Sequence, residues 1–189
     1  MAPPDRDLQH ITIESSGEAQ LAAILILLYV RNGTFYTVFI KRTKYPGPHS
    51  GQISFPGGKT DPEDMDLSHT AIREAREEIG IDPSKLQIIG KLSPLFIPVS
   101  NFIVHPYIGF QYSLPRFKIQ ASEVQFLLDV ELIDLLKPKT HAFMDIIIQG
   151  REIKVPCYGF KDHRIWGATA MILSEFLELV KRTGFSSGQ

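Results

Sequence analysis

The sequence of 189 residues lacks the marks of several large protein classes. It has one cysteine, Cys157, so it can build neither an intrachain disulfide framework nor a cysteine-rich zinc site. Its longest apolar run, Leu21–Val30, has ten residues, and a membrane-spanning helix needs about 20. Charge of one sign is missing too. Twenty Lys and Arg against 21 Asp and Glu give a net charge of −1, which leaves no broad basic face for a nucleic-acid duplex. Internal repeats and low-complexity blocks are absent, and the opening Met-Ala-Pro-Pro-Asp-Arg-Asp has no apolar core of a secretory signal. The last residues, Ser-Ser-Gly-Gln, are not a peroxisomal address. These absences predict a cytoplasmic protein with no nucleic-acid or membrane partner, acting as a monomer or homodimer.

What is present suits one globular unit. Hydrophobic residues make up 43% of the chain, and a domain of roughly this size buries about 70% of its unfolded surface without a staple. The expected organisation is a polar arm over 1–20, a single domain over 21–184 and a tail over 185–189. Leu21–Val30 is nearly all apolar, as in a strand covered on both faces. Asn32-Gly33 then marks a hairpin to a second strand over 34–41. Residues 44–58 are crowded with Pro and Gly and read as a shaped loop around a short strand at Gln52–Phe55. Leu67–Ile79 reads as a helix stopped by Gly80. Strands are expected at 86–92 and 104–111, and a strand running into a short helix near Leu132 at 127–136. The Gln149-Gly150 signal predicts a hairpin between 146–148 and 152–155, and a second long helix covers 169–181. Strands and helices mix without regular alternation, so the expected class is α+β, a mixed-sheet α/β/α sandwich.

The stretch Arg73-Glu74-Ala75-Arg76-Glu77-Glu78-Ile79-Gly80 carries the chemistry. On a helix, Glu74, Glu77 and Glu78 sit at i, i+3 and i+4, so three carboxylates share one face while Ile72, Ala75 and Ile79 pack inward. Like charges at this spacing weaken a bare helix. Hard oxygen donors beside a Gly-rich loop suit Mg²⁺ or Mn²⁺, which commonly bridge one or two carboxylates to substrate phosphates. The reaction suggested is attack of metal-activated water on phosphorus. An ordinary solvated helix is the plain alternative.

Phe55-Pro56-Gly57-Gly58, followed through to Ile81, resembles the Nudix box, Gly-x-x-x-x-x-Glu-x-x-x-x-x-x-x-Arg-Glu-U-x-Glu-Glu-x-Gly-U with U aliphatic. Asp64 stands where the box has Glu, one residue further from Arg73 than the pattern. That departure is similar to the coenzyme A pyrophosphatase branch of the Nudix hydrolases. Upstream, Arg42, His49, Gly51 and Phe55-Pro56-Gly57-Gly58 match that branch's motif in register, with Gly47 in place of its second Arg. Ala121-Ser122-Glu123-Val124 and Ile165-Trp166-Gly167-Ala168-Thr169-Ala170 resemble further segments of it.

The resemblance implies the Nudix fold and Mg²⁺ or Mn²⁺ held by Glu74, Glu78 and Glu77, with the Gly57 carbonyl as an extra ligand. Arg73 is expected to hold a box glutamate in place. The general base is left between a box glutamate and Glu123. Arg42, His49, Phe55, Gly57 and Gly58 are the expected substrate contacts. Trp166 and Cys157 are expected to be packing residues. The implied activity is hydrolysis of a nucleoside diphosphate-linked small molecule. Coenzyme A or an acyl derivative would yield 3′,5′-ADP and the 4′-phosphopantetheine portion. ADP-ribose, a dinucleotide or a nucleoside triphosphate is the alternative substrate, and a non-catalytic binding module is the second alternative.

Overall fold

A computed structural model describes residues 19–47, 49–148 and 151–185. Most of the expected arm (1–18), most of the tail (186–189), Pro48 and the Gln149-Gly150 turn lie outside the described residues. The framework is a mixed sheet built on two long strands. Strand β1 (Gln20–Arg31) runs antiparallel to β2 (Thr34–Arg42) and parallel to β7 (Phe102–Gln111). β1 alternates faces with period two. Ala23, Leu25, Leu27 and Tyr29 enter one apolar cluster, whereas Ala22, Ile26 and Leu28 enter another. Its near-continuous apolar run follows from being covered on both sides.

Only the last four residues of β1 pair with β2. Its first half instead pairs with β4 (Gly57–Lys59), while β3 (Ile53–Ser54) pairs with the far end of β2. The sheet is therefore parted between β1 and β2, and β3 and β4 occupy the gap. β5 (Leu86–Lys91) and β6 (Leu95–Ile97) pair with β7, and β8 (Val124–Glu131) pairs with β2.

Helix α1 (Leu67–Ile79) covers the first face through Ala71, Ala75 and Ile79. Asp66 caps its start by accepting the His69 N–H at 2.8 Å, and Gly80 donates its N–H to the Arg76 carbonyl at its end. The other face is covered by α2 (Leu132–Leu136) and α3 (Gly167–Arg182), the latter through Ile172, Leu173, Phe176 and Leu177. A second, three-stranded antiparallel sheet of β9 (His141–Ile148), β10 (Arg151–Phe160) and β11 (His163–Trp166) joins that side through Tyr158 and Ile165.

The α/β/α sandwich agrees with the sequence reading. Three local expectations are corrected, and two short strands that the sequence did not mark are added. Gly57–Lys59 is a strand rather than loop, because β1 offers it a free edge. Leu95–Ile97 and His163–Trp166 are strands too short to show a period. The β9–β10 hairpin is longer than expected on both arms. Ile72 is half-exposed rather than inward, since the buried stripe runs through Ala71, Ala75 and Ile79. Cys157 is a buried thiol raised by desolvation, and Trp166 is half-buried opposite it on β11.

Candidate functional site

Helix α1 lies against the β4 edge and does not present three equivalent carboxylates. Glu78, one residue before the end of the helix, is 1% exposed and shares the inward side with Ala71 and Ala75. Glu74 is half-buried, and Glu77 is exposed on the outside of the helix. The shared face expected from spacing is thus split, because positions 74 and 78 lean toward β4 while 77 turns away from it.

Each inward carboxylate is held by a different device. Glu78 Oε2 accepts the Gly57 N–H at 2.8 Å, and Glu78 Oε1 accepts from Arg42 Nη1 at 3.2 Å. Burial pushes the Glu78 carboxyl up to about 7 although Arg42 and the Gly57 N–H both oppose the shift. Glu74 is raised as well, again first by burial. The negative charge of Glu123 adds to both shifts. Glu123 ends the 121–123 turn, and its carbonyl accepts the Thr43 N–H next to Arg42 at 2.9 Å. The fold thus brings a residue far along the chain to the acidic end of α1.

Arg73 is locked. Its Nε and Nη2 donate to Asp64 at 2.9 and 3.0 Å, its Nη1 donates to Glu74 at 2.9 Å, and its Nη2 reaches the Lys59 carbonyl at 3.0 Å. A longer contact of 3.3 Å joins it to Glu77. Asp64 is nearly buried and also accepts from Thr70 at 2.8 Å, and its pair with Arg73 holds its carboxyl far below the usual carboxylate range. Asp64 was not among the residues expected to act. The sequence did carry a signal for it, in the Asp61–Asp64 spacing followed by Thr70 and Arg73.

The two glycines of Phe55-Pro56-Gly57-Gly58 serve the protein's own contacts. Gly57 has φ 148°, and a Cβ there would meet the Ala23 carbonyl at 2.3 Å. A Cβ on Gly58 would meet the Glu74 carboxylate at 2.5 Å. The close approach these glycines permit is that of β4 to β1 and to α1. Phe55 is buried and packs its ring 4.6 Å from that of Phe39.

A cavity of about 300 Å³ opens on the α3 side of β4. Its apolar wall includes Ile24, Phe55, Phe102, Val104 and Ile172, and its polar rim includes Arg42, Ser54 and Lys59. Ser54 Oγ is buried without a partner among the described residues. His49 borders the cavity, but both its ring nitrogens are engaged, Nδ1 with Gln52 Oε1 at 3.3 Å and Nε2 with Ser100 Oγ at 3.1 Å. Because Gln52 Oε1 only accepts, Nδ1 carries the proton in the neutral ring and Nε2 accepts from Ser100. A separate concavity of about 680 Å³ borders the outside of α1 and is lined by Asp61, His69, Arg76 and Glu77.

Among the described residues, no three His, Cys, Asp or Glu side chains form a ready-made metal cage. Two carboxylates, Glu74 and Glu78, do converge beside β4, each raised first by burial and further by its negative neighbours. That donor set fits a hard cation which keeps most of its water. No helix among the described residues is long and apolar enough to cross a membrane.

Comparison with known proteins shows what the chain as a whole is similar to. Residues 19–145 match the NUDIX domain. An uncharacterized Nudix hydrolase, NudL, from Photorhabdus laumondii is 33% identical over 133 residues, covering 70% of this chain and 71% of its own length. Among solved structures, an Ap4A hydrolase binary complex from C. elegans aligns with TM-score 0.52 and 25% identity over 61% of this chain and 82% of its own. The NUDIX domain of Shewanella oneidensis NrtR, complexed with ADP ribose, aligns with TM-score 0.58 over 94% of this chain and 96% of its own, at 14% identity.

Proposed function

The chain belongs to the Nudix hydrolase family, and from that premise we propose that it cleaves the diphosphate of a nucleoside diphosphate-linked small molecule, with coenzyme A or an acyl-coenzyme A as the substrate. The observation that carries this reading is the position of Arg42. Its side chain lines the apolar cavity and also bonds Glu78. The place for an apolar organic group and the acidic helix therefore meet at one cationic residue.

In this reading Glu74 and Glu78 hold Mg²⁺ or Mn²⁺, with the Gly57 carbonyl as a further donor, and Glu77 lies outside the first set of ligands. The bound cation supplies Lewis-acid activation of water and neutralises phosphate charge. Arg73 keeps the Glu74 carboxylate in one orientation because Asp64 fixes the guanidinium. Arg42 and Lys59 neutralise the non-bridging oxygens of the diphosphate. Glu123 takes the proton of the attacking water. The wall around Ile24, Phe55 and Phe102 excludes water and receives the rest of the substrate. His49 shapes that wall rather than touching substrate, since its nitrogens are already used. The protein acts in the cytoplasm on a small molecule.

The test is mass analysis of products formed from coenzyme A with Mg²⁺ and with Mn²⁺. The expected products are 3′,5′-ADP and 4′-phosphopantetheine. A second reading keeps the chemistry and changes the substrate to ADP-ribose or a dinucleotide. Gly47 favours it, because the branch motif has a second Arg there, and a relative solved at 25% identity is an Ap4A hydrolase. Equal kcat/KM on coenzyme A and on its 3′-dephospho form would argue against recognition of the 3′-phosphate, and a higher kcat/KM on ADP-ribose or a dinucleotide in the same assay would select the second reading.

A further inference from the structure

The two arginines of the site are held in opposite ways. Arg73 spreads its donors over Asp64, Glu74 and the Lys59 carbonyl at 2.9–3.0 Å. This is the forked, fully used geometry of a structural arginine. Arg42 reaches Glu78 through one Nη1 contact of 3.2 Å, longer than the 2.7–2.9 Å usual between a cation and a carboxylate. Its Nε is buried with no partner among the described residues. A buried donor left unpaired loses its water without compensation, so this guanidinium is held by fewer bonds than it could make.

Resting on the proposed roles of Glu74 and Glu78, we propose that Arg42 is an internal stand-in for the divalent cation: it neutralises buried Glu78 in the metal-free protein and is displaced into the cavity, toward the substrate's phosphates, when the cation takes that carboxylate. The charges demand some counter-ion. Glu74, Glu78 and Glu123 bear on one another, and Arg73 is already committed to Asp64 and Glu74. Arg42 is the cation that both touches Glu78 and lines the cavity. A dication at Glu78 repels a guanidinium held beside it, and the cavity that Arg42 lines gives the side chain a place to go. Loading of the metal therefore frees the phosphate-binding group, and the two events become one coupled equilibrium.

The experiment is calorimetric titration of Mg²⁺ into the substrate-free protein at pH 8.5, where the Glu78 carboxyl is ionised. The series is wild type, Arg42→Met, Arg42→Gln, Arg42→Lys and Glu78→Gln, each checked for a cooperative thermal transition. With the competing cation removed, Arg42→Met and Arg42→Gln bind Mg²⁺ at least about five-fold more tightly, while Arg42→Lys stays within about two-fold of wild type. In the same variants KM for coenzyme A rises at least about ten-fold. The two neutral variants guard against one of them failing to fold. Unchanged or weaker Mg²⁺ binding in the folded neutral variants, with Glu78→Gln losing binding, overturns the stand-in role and leaves the proposed metal site intact. Equal Mg²⁺ binding by wild type and Glu78→Gln overturns both.

Discussion

Glu78 concentrates the cost of the site in one side chain. Its carboxyl is raised to about 7 by burial, against the ordinary glutamate value near 4.3 in an unfolded chain. Between those values the unfolded chain has released the proton while the folded chain still holds it. The metal-free protein therefore loses stability as pH rises from about 4.5 to 7 and levels off above, by an amount on the order of 3 kcal/mol. Thermal melts in a chelator should show that fall, and Glu78→Gln, which cannot titrate, should flatten it. Asp64 is the opposite case. Its pair with Arg73 depresses its carboxyl, so its contribution is present above the ordinary Asp value and is lost only in strong acid. Asp64→Asn leaves Arg73 without its main anchor. Breaking such a pair costs about 3 kcal/mol, and loss of the partner that orients a ligand lowers activity roughly 10- to 100-fold. A kcat drop of that size, measured below the variant's melting temperature, is the expected result; unchanged kcat would mean that Glu74 needs no such support.

The helix and its neighbouring strands show what could be read without coordinates. Leu67–Ile79 was legible to the residue, because the apolar spacing, the acidic run and the terminal Gly80 all agree on one element. The run from Leu127 to Leu136 was legible as a strand ending in a short helix for the same reason. Strand β4 was not legible. Its Pro-Gly-Gly composition argues for a loop, and only the gap between β1 and β2 makes a paired edge available. The unequal burial of Glu74, Glu77 and Glu78 was hidden for a related reason, since helical spacing gives angular position but not the place of the neighbouring strand. The role of the glycines follows from that strand. Gly58→Ala would drive a methyl to within 2.5 Å of the Glu74 carboxylate. Overpacking of this kind costs about 1–3 kcal/mol, but here the flexible carboxylate yields first, so activity should fall by more than stability. Gly57→Ala meets backbone at 2.3 Å with φ 148° and should disrupt folding outright. Comparing melts with kcat for the two variants separates the effects.

At the scale of the molecule, the site is a seam between layers. Helix α1 is tied to β4 by the Glu78 bond to Gly57 and the Arg73 bond to the Lys59 carbonyl. β4 is in turn tied to β1, the strand that supplies both apolar clusters. The cavity on the opposite side of β4 is lined partly by Ala168, Thr169 and Ile172 of α3. A cation held by Glu74 and Glu78 would thus strengthen the joint between α1 and the sheet while relieving the repulsion between these two carboxylates. Such a ligand stabilises the native state alone, by about 2.7 kcal/mol at a concentration 100 times its dissociation constant. For a chain of this length that corresponds to a melting-temperature rise of about 5–10 °C. Saturating Mg²⁺ or Mn²⁺ should produce this rise in the wild type at pH 8, and EDTA should reverse it. Glu78→Gln should remove the rise, whereas Glu77→Gln should keep most of it, because Glu77 faces the outer concavity and not the β4 edge. A full rise in Glu78→Gln would move the cation away from the seam, and with it the origin of the chemistry.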